Sequence, residues 1–149
     1  MTRDQGQQAE WRLGIGRVSP ANLHTLGPAA LTALFSPLER AHSGGRRLEG
    51  FAGRLAAKYA VADVLGQCPD EPALLREIQV LPAPRLACRD PFRCDRGHPP
   101  AVGFAPGCGV AGRAGLIWID VSVSHETEQA VAVVLAMFAA RACDDGPGD

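Results

Sequence analysis

The chain has 149 residues and a formal net charge of −1, with 46% hydrophobic, 21% charged and only 5% aromatic side chains. This length predicts a single domain that buries a core, and the near-neutral charge with few aromatic residues argues against nucleic-acid binding. No stretch approaches the roughly 20 apolar residues of a membrane span, and the polar N-terminus lacks the apolar core of a signal peptide. We therefore expect a cytoplasmic protein with no membrane or nucleic-acid partner.

The first third of the chain predicts one strand followed by helices. Residues 1–10 are expected to be disordered, and the apolar run 11–18, which contains two glycines, predicts a first strand. A proline near the first turn favours a helix over 29–35, residues 36–40 begin a further turn or short helix, and a long helix is expected over about 48–65. In that long helix the apolar residues predicted to face the core are Phe51, Leu55, Tyr59, Ala62 and Leu65.

The remainder predicts strands around one loop. Residues 77–81 alternate as a strand, and 82–115 is rich in proline and glycine, which predicts a loop. Residues 116–125 alternate cleanly, with Trp118, Asp120, Ser122 and Ser124 on the face opposite the aliphatic side chains. The run 129–138 favours a strand in a hairpin with the preceding one, and 143–149 is expected to be frayed. Residues 11–142 thus form one α+β domain.

The loop carries three cysteines and one histidine, which is a set of soft metal ligands. They are Cys88, Cys94, His98 and Cys108. Their spacing matches no compact zinc knuckle, so we expect free thiols and no metal site here. His24 and His42, each alone in a helix-flanking segment, are expected on the surface.

Lysine occurs once among the fifteen lysine and arginine residues, at position 58. Lysine offers a rotatable point charge that can sit on a phosphate and exchange a proton, whereas arginine is a planar cation that stays charged. Arg54 lies four residues earlier on the predicted helix, so the two cations share one face and would repel unless an anion lies between them. The alternative is that both side chains are simply solvated.

An ordered set of motifs carries a resemblance to a known family. It comprises Gly14-Ile15-Gly16 on the first strand, the segment Leu34–Arg40, Gly53-Arg54-Leu-Ala-Ala-Lys58 on the long helix, and Ser122-Val-Ser124-His125 before the last strand. Together they resemble the holo-acyl-carrier-protein synthase group of 4′-phosphopantetheinyl transferases, over about residues 13–136.

The resemblance implies an α+β fold in which an antiparallel sheet packs on a long helix, in a homotrimer with sites between subunits. It also implies transfer of phosphopantetheine from coenzyme A to a serine of an acyl or peptidyl carrier protein, with Mg²⁺ on the diphosphate. By the same resemblance Lys58 contacts the phosphates and assists the leaving group. The positions matched near the nucleotide end of coenzyme A are Arg54, Ser122, Ser124 and His125.

The chain departs from the family at the metal carboxylates. Tyr59 stands where the family has a glutamate directly after the lysine, and Arg17 or Val18 stands where it has an aspartate after the first-strand glycines. Neither a neutral phenol nor these side chains supply the charged oxygen ligands that a hard divalent cation needs, which argues against ordinary magnesium dependence. His98 replaces the lysine of the family's Gly-Lys-Pro turn, and we count it among the cofactor-binding candidates.

Three functions remain open at this point. The chain transfers phosphopantetheine with an altered metal site, or it binds coenzyme A or a carrier protein without catalysis. In the third, the fold performs metal-free cyclisation, elimination or isomerisation on an intermediate of specialised metabolism. His125 or His98 would then carry the proton, with Tyr59 or Asp120 beside it.

Overall fold

The computed structural model describes residues 8–43, 48–83, 98–126 and 128–140. Two of the four candidate zinc ligands, Cys88 and Cys94, lie outside these ranges, as do residues 1–7 of the N-terminus expected to be disordered and residues 143–149 of the tail expected to be frayed. The strands are β1 (Ala9–Val18), β2 (Ile78–Pro82), β3 (Pro100–Phe104), β4 (Leu116–His125) and β5 (Ala130–Ala139). The helices are α1 (Pro20–Leu23), α2 (Pro28–Leu34), α3 (Pro37–Ser43), α4 (Leu48–Val64), α5 (Pro72–Glu77) and α6 (Val110–Ala114).

The larger sheet is antiparallel, with the strand order β1–β5–β4. The expected hairpin between the last two strands is confirmed, and the α+β class with antiparallel sheets is confirmed with it. Every second residue of β5 is buried against the core, which is the period-2 pattern of a sheet with one covered face. That covered face lies against α4.

Two glycines of β1 allow the strand to approach α4 closely. A Cβ atom at Gly14 would overlap the carbonyl oxygen of Ala60, and one at Gly16 would overlap that of Ala56. Helix α4 in turn has small residues on its buried sides: Ala52, Ala56, Ala57 and Ala60 are all fully buried. The glycine pair noted in the sequence therefore sets the distance between sheet and helix.

Helix α4 is buried on more sides than its apolar stripe predicts. Leu55 and Leu65 are buried as expected, while Phe51 and Tyr59 are only partly buried. Lys58, on the neighbouring face, is fully buried as well, because α2, α3, α5 and β2 cover that side of the helix. The helix thus runs through the middle of the domain.

The region 82–115, predicted to be a loop, contains regular structure, and in this respect the prediction was wrong. β3 pairs antiparallel with β2, from Ile78 opposite Phe104 to Pro82 opposite Pro100, and α6 follows before β4. The prolines mislead because proline, which lacks an N–H donor, is tolerated at the end of a strand pair. Gly115, with a φ of 74°, ends α6 in the left-handed region.

The other face of the β1–β5–β4 sheet, here called the outer face, carries exposed apolar side chains. Trp11 and Trp118 contact each other edge to face with ring centroids 5.8 Å apart, and Leu13 is 63% exposed. The further members of this apolar group are Ile15, Val133 and Leu135. A continuous apolar surface of this kind marks an interaction site more often than a solvated surface.

Candidate functional site

A pocket of about 340 Å³ opens between α4, the β2–β3 sheet and the end of β4. This volume lies at the lower end of the range for small-molecule sites. Its lining residues come from distant parts of the chain: His42, Gly50, Gly53, Arg54, Val80, Leu81, Pro82, His98, Pro100, Val123 and His125. The pocket therefore brings together three of the residues proposed from the sequence, namely Arg54, His98 and His125.

The imidazole of His125 rests directly on the backbone of α4. A Cβ atom at Gly53 would lie 2.6 Å from Cε1 of His125 and 3.0 Å from a methyl group of Val123. A side chain at position 53 would displace the exposed His125 ring, so Gly53 leaves free the space that this ring occupies at the end of β4. Gly53 and Arg54 thus bring the imidazole of His125 and a guanidinium to the same pocket.

Arg54 is half-buried at the pocket wall. Its Nε donates a hydrogen bond of 3.0 Å to the carbonyl oxygen of Val80, which among the described residues is its one acceptor. Burial lowers the pKa of the guanidinium, and the charge of Glu39 partly offsets that effect. A guanidinium that is oriented by one hydrogen bond and partly desolvated is well placed to bind an oxyanion.

His98 has one ring nitrogen satisfied and one without a partner. Its Nδ1 lies 2.6 Å from the carbonyl oxygen of Ala83, and because a carbonyl only accepts, Nδ1 carries the proton. Its Nε2 is buried and has no hydrogen-bond partner among the described residues. An unpaired buried polar atom costs free energy and is typical of a site that a ligand completes.

The pocket has a basic character. Its ionisable lining residues are one arginine and three histidines, and no aspartate or glutamate is among the described residues that line it. A partly enclosed site with charges of one sign attracts the opposite sign. The arrangement suits a phosphate-bearing ligand.

Lys58 lies outside this pocket. Its side chain is 0% exposed, and its Nζ contacts Glu39 Oε1 at 2.7 Å. It also donates to three carbonyl oxygens, those of Leu34 at 3.0 Å, Leu75 at 2.6 Å and Ile78 at 2.6 Å. The solvated alternative is wrong, and the donor capacity of the amine is taken up by partners inside the protein.

Burial lowers the pKa of Lys58 from 10.5 to about 8, although Glu39 acts in the opposite direction. Arg54 lowers it slightly further. The amine remains mainly protonated at neutral pH, where it holds together α2, α3, α4, α5 and β2. In this structure Lys58 is a packing residue rather than one that faces a ligand.

Glu39, the partner of Lys58, closes a capping box. The backbone N–H of Ser36 donates to Glu39 Oε1 at 3.0 Å, and the N–H of Glu39 donates to Ser36 Oγ at 3.3 Å. This reciprocal pair is the Ser-x-x-Glu start of a helix, here α3. Oε2 of the same carboxylate accepts the N–H of Val80 at 3.2 Å, so Glu39 also anchors β2 beside Arg54.

The positions matched to the family's metal ligands do not fit a magnesium ion. Tyr59 is half-buried, and burial with the nearby charge of Asp70 raises the pKa of its phenol, which keeps it neutral. Arg17 is exposed and Val18 is buried. Within the described part of the chain, no three His, Cys, Asp or Glu side chains cluster closely enough to hold a metal ion.

The remaining proposed residues lie on the outer face of the sheet. Ser122 and Ser124 are exposed there, opposite Val133 and Val131 of β5. Asp120 is also exposed, and its Oδ1 accepts the N–H of Val121 at 2.9 Å. Within one protomer the sheet separates these three side chains from the pocket, and none of them is among its lining residues.

Sequence reasoning missed three residues that shape the site. His42 was expected on the surface but lines the pocket, Glu39 was not recognised as the partner of Lys58, and Gly53 was not recognised as the seat of His125. The capping-box spacing from Ser36 to Glu39 was the available signal for the second. No local pattern predicts that His42 lines the pocket, because only the packing of α3 against the rest of the domain brings it there.

Comparisons with known proteins identify the fold. No protein-family model matches the sequence, and no curated protein matches it significantly. Solved structures do match: the apo holo-acyl-carrier-protein synthase of Chronobacterium ammoniagenes is 27% identical with a TM-score of 0.66, over 89% of this chain and 100% of that one.

Two further structures agree. The complex of the Chronobacterium ammoniagenes synthase with coenzyme A is 26% identical, with a TM-score of 0.65 and coverage of 88% and 99%. The Mycobacterium tuberculosis acyl carrier protein synthase is 26% identical, with a TM-score of 0.55 and coverage of 86% and 96%. The resemblance read from the sequence is confirmed: the chain has the phosphopantetheinyl transferase fold, and within that class it is a holo-acyl-carrier-protein-synthase-like protein.

Proposed function

We propose that this chain binds coenzyme A with its phosphates at the pocket and transfers phosphopantetheine to a serine of a carrier protein, at a site without the usual metal carboxylates. The observation that carries this proposal is the basic pocket itself. Two of the residues matched to coenzyme A contacts, Arg54 and His125, line it, and no described acidic side chain does. A similar solved protein is a complex with coenzyme A, which supports the choice of ligand.

The chemistry asks mainly for positioning and charge neutralisation. The serine oxygen of the carrier forms a bond to the phosphorus that bears pantetheine, the bond to the bridging oxygen of the diphosphate breaks, and 3′,5′-ADP leaves. Phosphoryl transfer of this kind depends on groups that hold the phosphates and offset their charge. Arg54 is the permanent cation for that task, and His125 and His98 are the groups able to donate or accept a proton.

The role first proposed for Lys58 changes with its surroundings. An amine with four oxygen partners and no exposed surface does not reach a phosphate without unfolding its neighbours. We propose that Lys58 and Glu39 support Arg54 indirectly, since Glu39 also fixes β2, the strand to which Arg54 donates. In place of Lys58, the arginine and the histidines that line the pocket contact the phosphates under this proposal.

We propose further that the outer face forms the contact between copies of the chain, as a homotrimer. Six large apolar side chains lie on this one face, and Ser122, Ser124 and Asp120 lie among them. Association would cover the apolar surface and would carry these polar side chains into a site shared between subunits. Under this proposal they complete the coenzyme A site from a neighbouring protomer.

The experiment is an intact-mass assay. The protein is incubated with coenzyme A and an apo carrier protein, in parallel with Mg²⁺ and with EDTA, and the carrier is weighed for an added phosphopantetheine. We expect transfer by the native chain, loss of transfer in Arg54→Ala, and retention in Arg76→Ala, which removes an exposed arginine of α5 outside the pocket. No mass gain on any of several carriers, with coenzyme A binding retained, contradicts transfer.

A second candidate function has a specific observation in its favour. The pocket contains three histidines and no described carboxylate, a composition that suits proton transfer without a metal. In this case the fold performs cyclisation, elimination or isomerisation on a small molecule. If coenzyme A does not stabilise the protein against heat at saturating concentrations, this second function is favoured over both transfer and simple coenzyme A binding.

A further inference from the structure

The pocket contains one polar atom that the protein leaves without a partner, Nε2 of His98. Because Nδ1 donates to the carbonyl oxygen of Ala83 at 2.6 Å, the ring orientation and tautomer are set from the protein side. Nε2 is then either a buried lone pair or a buried N–H, and neither form has a partner among the described residues. A ligand in the pocket is the group that can supply one.

The surroundings decide which kind of ligand that is. The charged and titratable side chains that line the same pocket are His42 from α3, Arg54 from α4 and His125 from β4. None of the described lining residues offers a negative charge to a protonated His98. A neutral His98 presents a lone pair, which an anion avoids, whereas a protonated one presents a charge-assisted donor that an anion accepts.

We propose that a phosphate group of the ligand binds in this pocket together with a proton, which is taken up by Nε2 of His98. Imidazole is the side chain that exchanges a proton between about pH 5 and 8, so the affinity for phosphate increases as the pH falls through this range. With one linked proton the association constant changes by at most about tenfold per pH unit. This inference rests on the proposed function for the identity of the ligand. The coupling between proton uptake and phosphate binding, however, depends only on the residues of the pocket and is expected for any phosphate anion that binds there.

The test measures protons as well as affinity. Binding of 3′,5′-ADP is followed by titration calorimetry at about pH 7.5, in two buffers with different ionisation enthalpies, where ligand phosphates with a second pKa near 6 are already mostly dianionic. We expect the native protein to take up more protons per ligand than His98→Gln, which keeps a hydrogen-bonding side chain but cannot hold the charge.

Two further variants make the result specific. His98→Lys carries a permanent cation, so we expect binding that no longer tightens as the pH falls from 8 to 6 beyond the change due to the ligand itself. His24→Gln removes an exposed histidine outside the pocket and is expected to retain the native proton uptake. Circular dichroism of each variant verifies that the fold is unchanged.

The outcomes separate this inference from the proposed function. If 3′,5′-ADP does not bind but inorganic pyrophosphate binds with a proton on His98, the linkage stands and coenzyme A is the wrong ligand. If 3′,5′-ADP binds with equal proton uptake in the native protein and His98→Gln, the inference is overturned while coenzyme A remains the proposed ligand. Failure of both probes to bind overturns the inference together with the phosphate-binding pocket.

Discussion

Replacing Lys58 by methionine tests whether this lysine supports the fold or contacts the ligand. Methionine fills a similar volume but removes the donor, so Glu39 keeps a buried charge without its partner and three carbonyl oxygens lose a hydrogen bond. Removal of one partner from a buried ion pair costs about 3–5 kcal/mol. Since small domains unfold at a total cost of about 5–15 kcal/mol, we expect Lys58→Met to lose a large share of its stability.

The measurement is urea unfolding followed by circular dichroism. The matched control is the double variant Lys58→Met/Glu39→Gln, in which the amide oxygen can still accept one of the two hydrogen bonds that Ser36 and Val80 donate to Glu39, and no unpaired charge remains. We expect the double variant to be more stable than Lys58→Met alone. If Lys58→Met lowers the unfolding free energy by less than about 1 kcal/mol and abolishes coenzyme A binding, the reasoning is refuted and Lys58 contacts the phosphates.

The pH dependence of the same variant gives an independent check. Burial lowers the pKa of Lys58 in the folded state from 10.5 to about 8, so between these values the unfolded chain binds more protons than the folded one. The cost of burying the charged amine is fully present below pH 8 and fades as the pH rises toward 10.5. Over this window the unfolding free energy of the native protein should rise relative to that of Lys58→Met.

Three further predictions address the packing, the single tyrosine and the outer face. Gly16→Ala places a Cβ atom against the carbonyl oxygen of Ala56 and should lower the unfolding free energy by about 3 kcal/mol. The control Gly103→Ala, where nothing lies within 4 Å of the added Cβ atom, should lower it much less. Equal losses would mean that β1 does not lie this close to α4. Tyr59, whose pKa is raised by burial, should form phenolate at a higher pH in the folded than in the urea-unfolded chain, as measured by the ultraviolet absorbance of phenolate. The neutral phenol therefore contributes stability below pH 10 that is lost as the pH rises through the pKa of the folded state. Coincident titrations of the folded and unfolded chains would contradict the burial of Tyr59. Leu13→Lys on the outer face should convert an oligomer to monomers in analytical ultracentrifugation without unfolding the chain. The control Leu38→Lys, which replaces an exposed leucine of α3, should leave the oligomer intact. An unchanged oligomer after Leu13→Lys would show that the outer face is not the interface.

The sequence predicts the strands of the large sheet and the central helix well because their signals are local. Alternation in β4, the valines of β5 and the glycine pair in β1 are signals that each strand carries in its own sequence. β3 was missed because Pro100 and Gly103 resemble loop residues, and its pairing with β2 is a long-range property. No local period reports such a partner.

The site was only partly predictable for the same reason. Arg54 and His125 were found through the ordered motifs, and they do meet at one pocket. The position of Lys58 was not predictable from the period of α4, because the elements that cover it come from residues 34–39 and 75–78. His42 and the unpaired Nε2 of His98 became visible only when three separate segments were packed around one cavity.

The decisive measurement is the mass of an apo carrier protein after incubation with coenzyme A and this protein. A gain of one phosphopantetheine with the native chain and with Arg76→Ala, but not with Arg54→Ala, is the result expected for a transferase that uses the basic pocket. No gain on any carrier from the native chain, although coenzyme A raises its melting temperature, would contradict transfer and leave a coenzyme A-binding protein in its place.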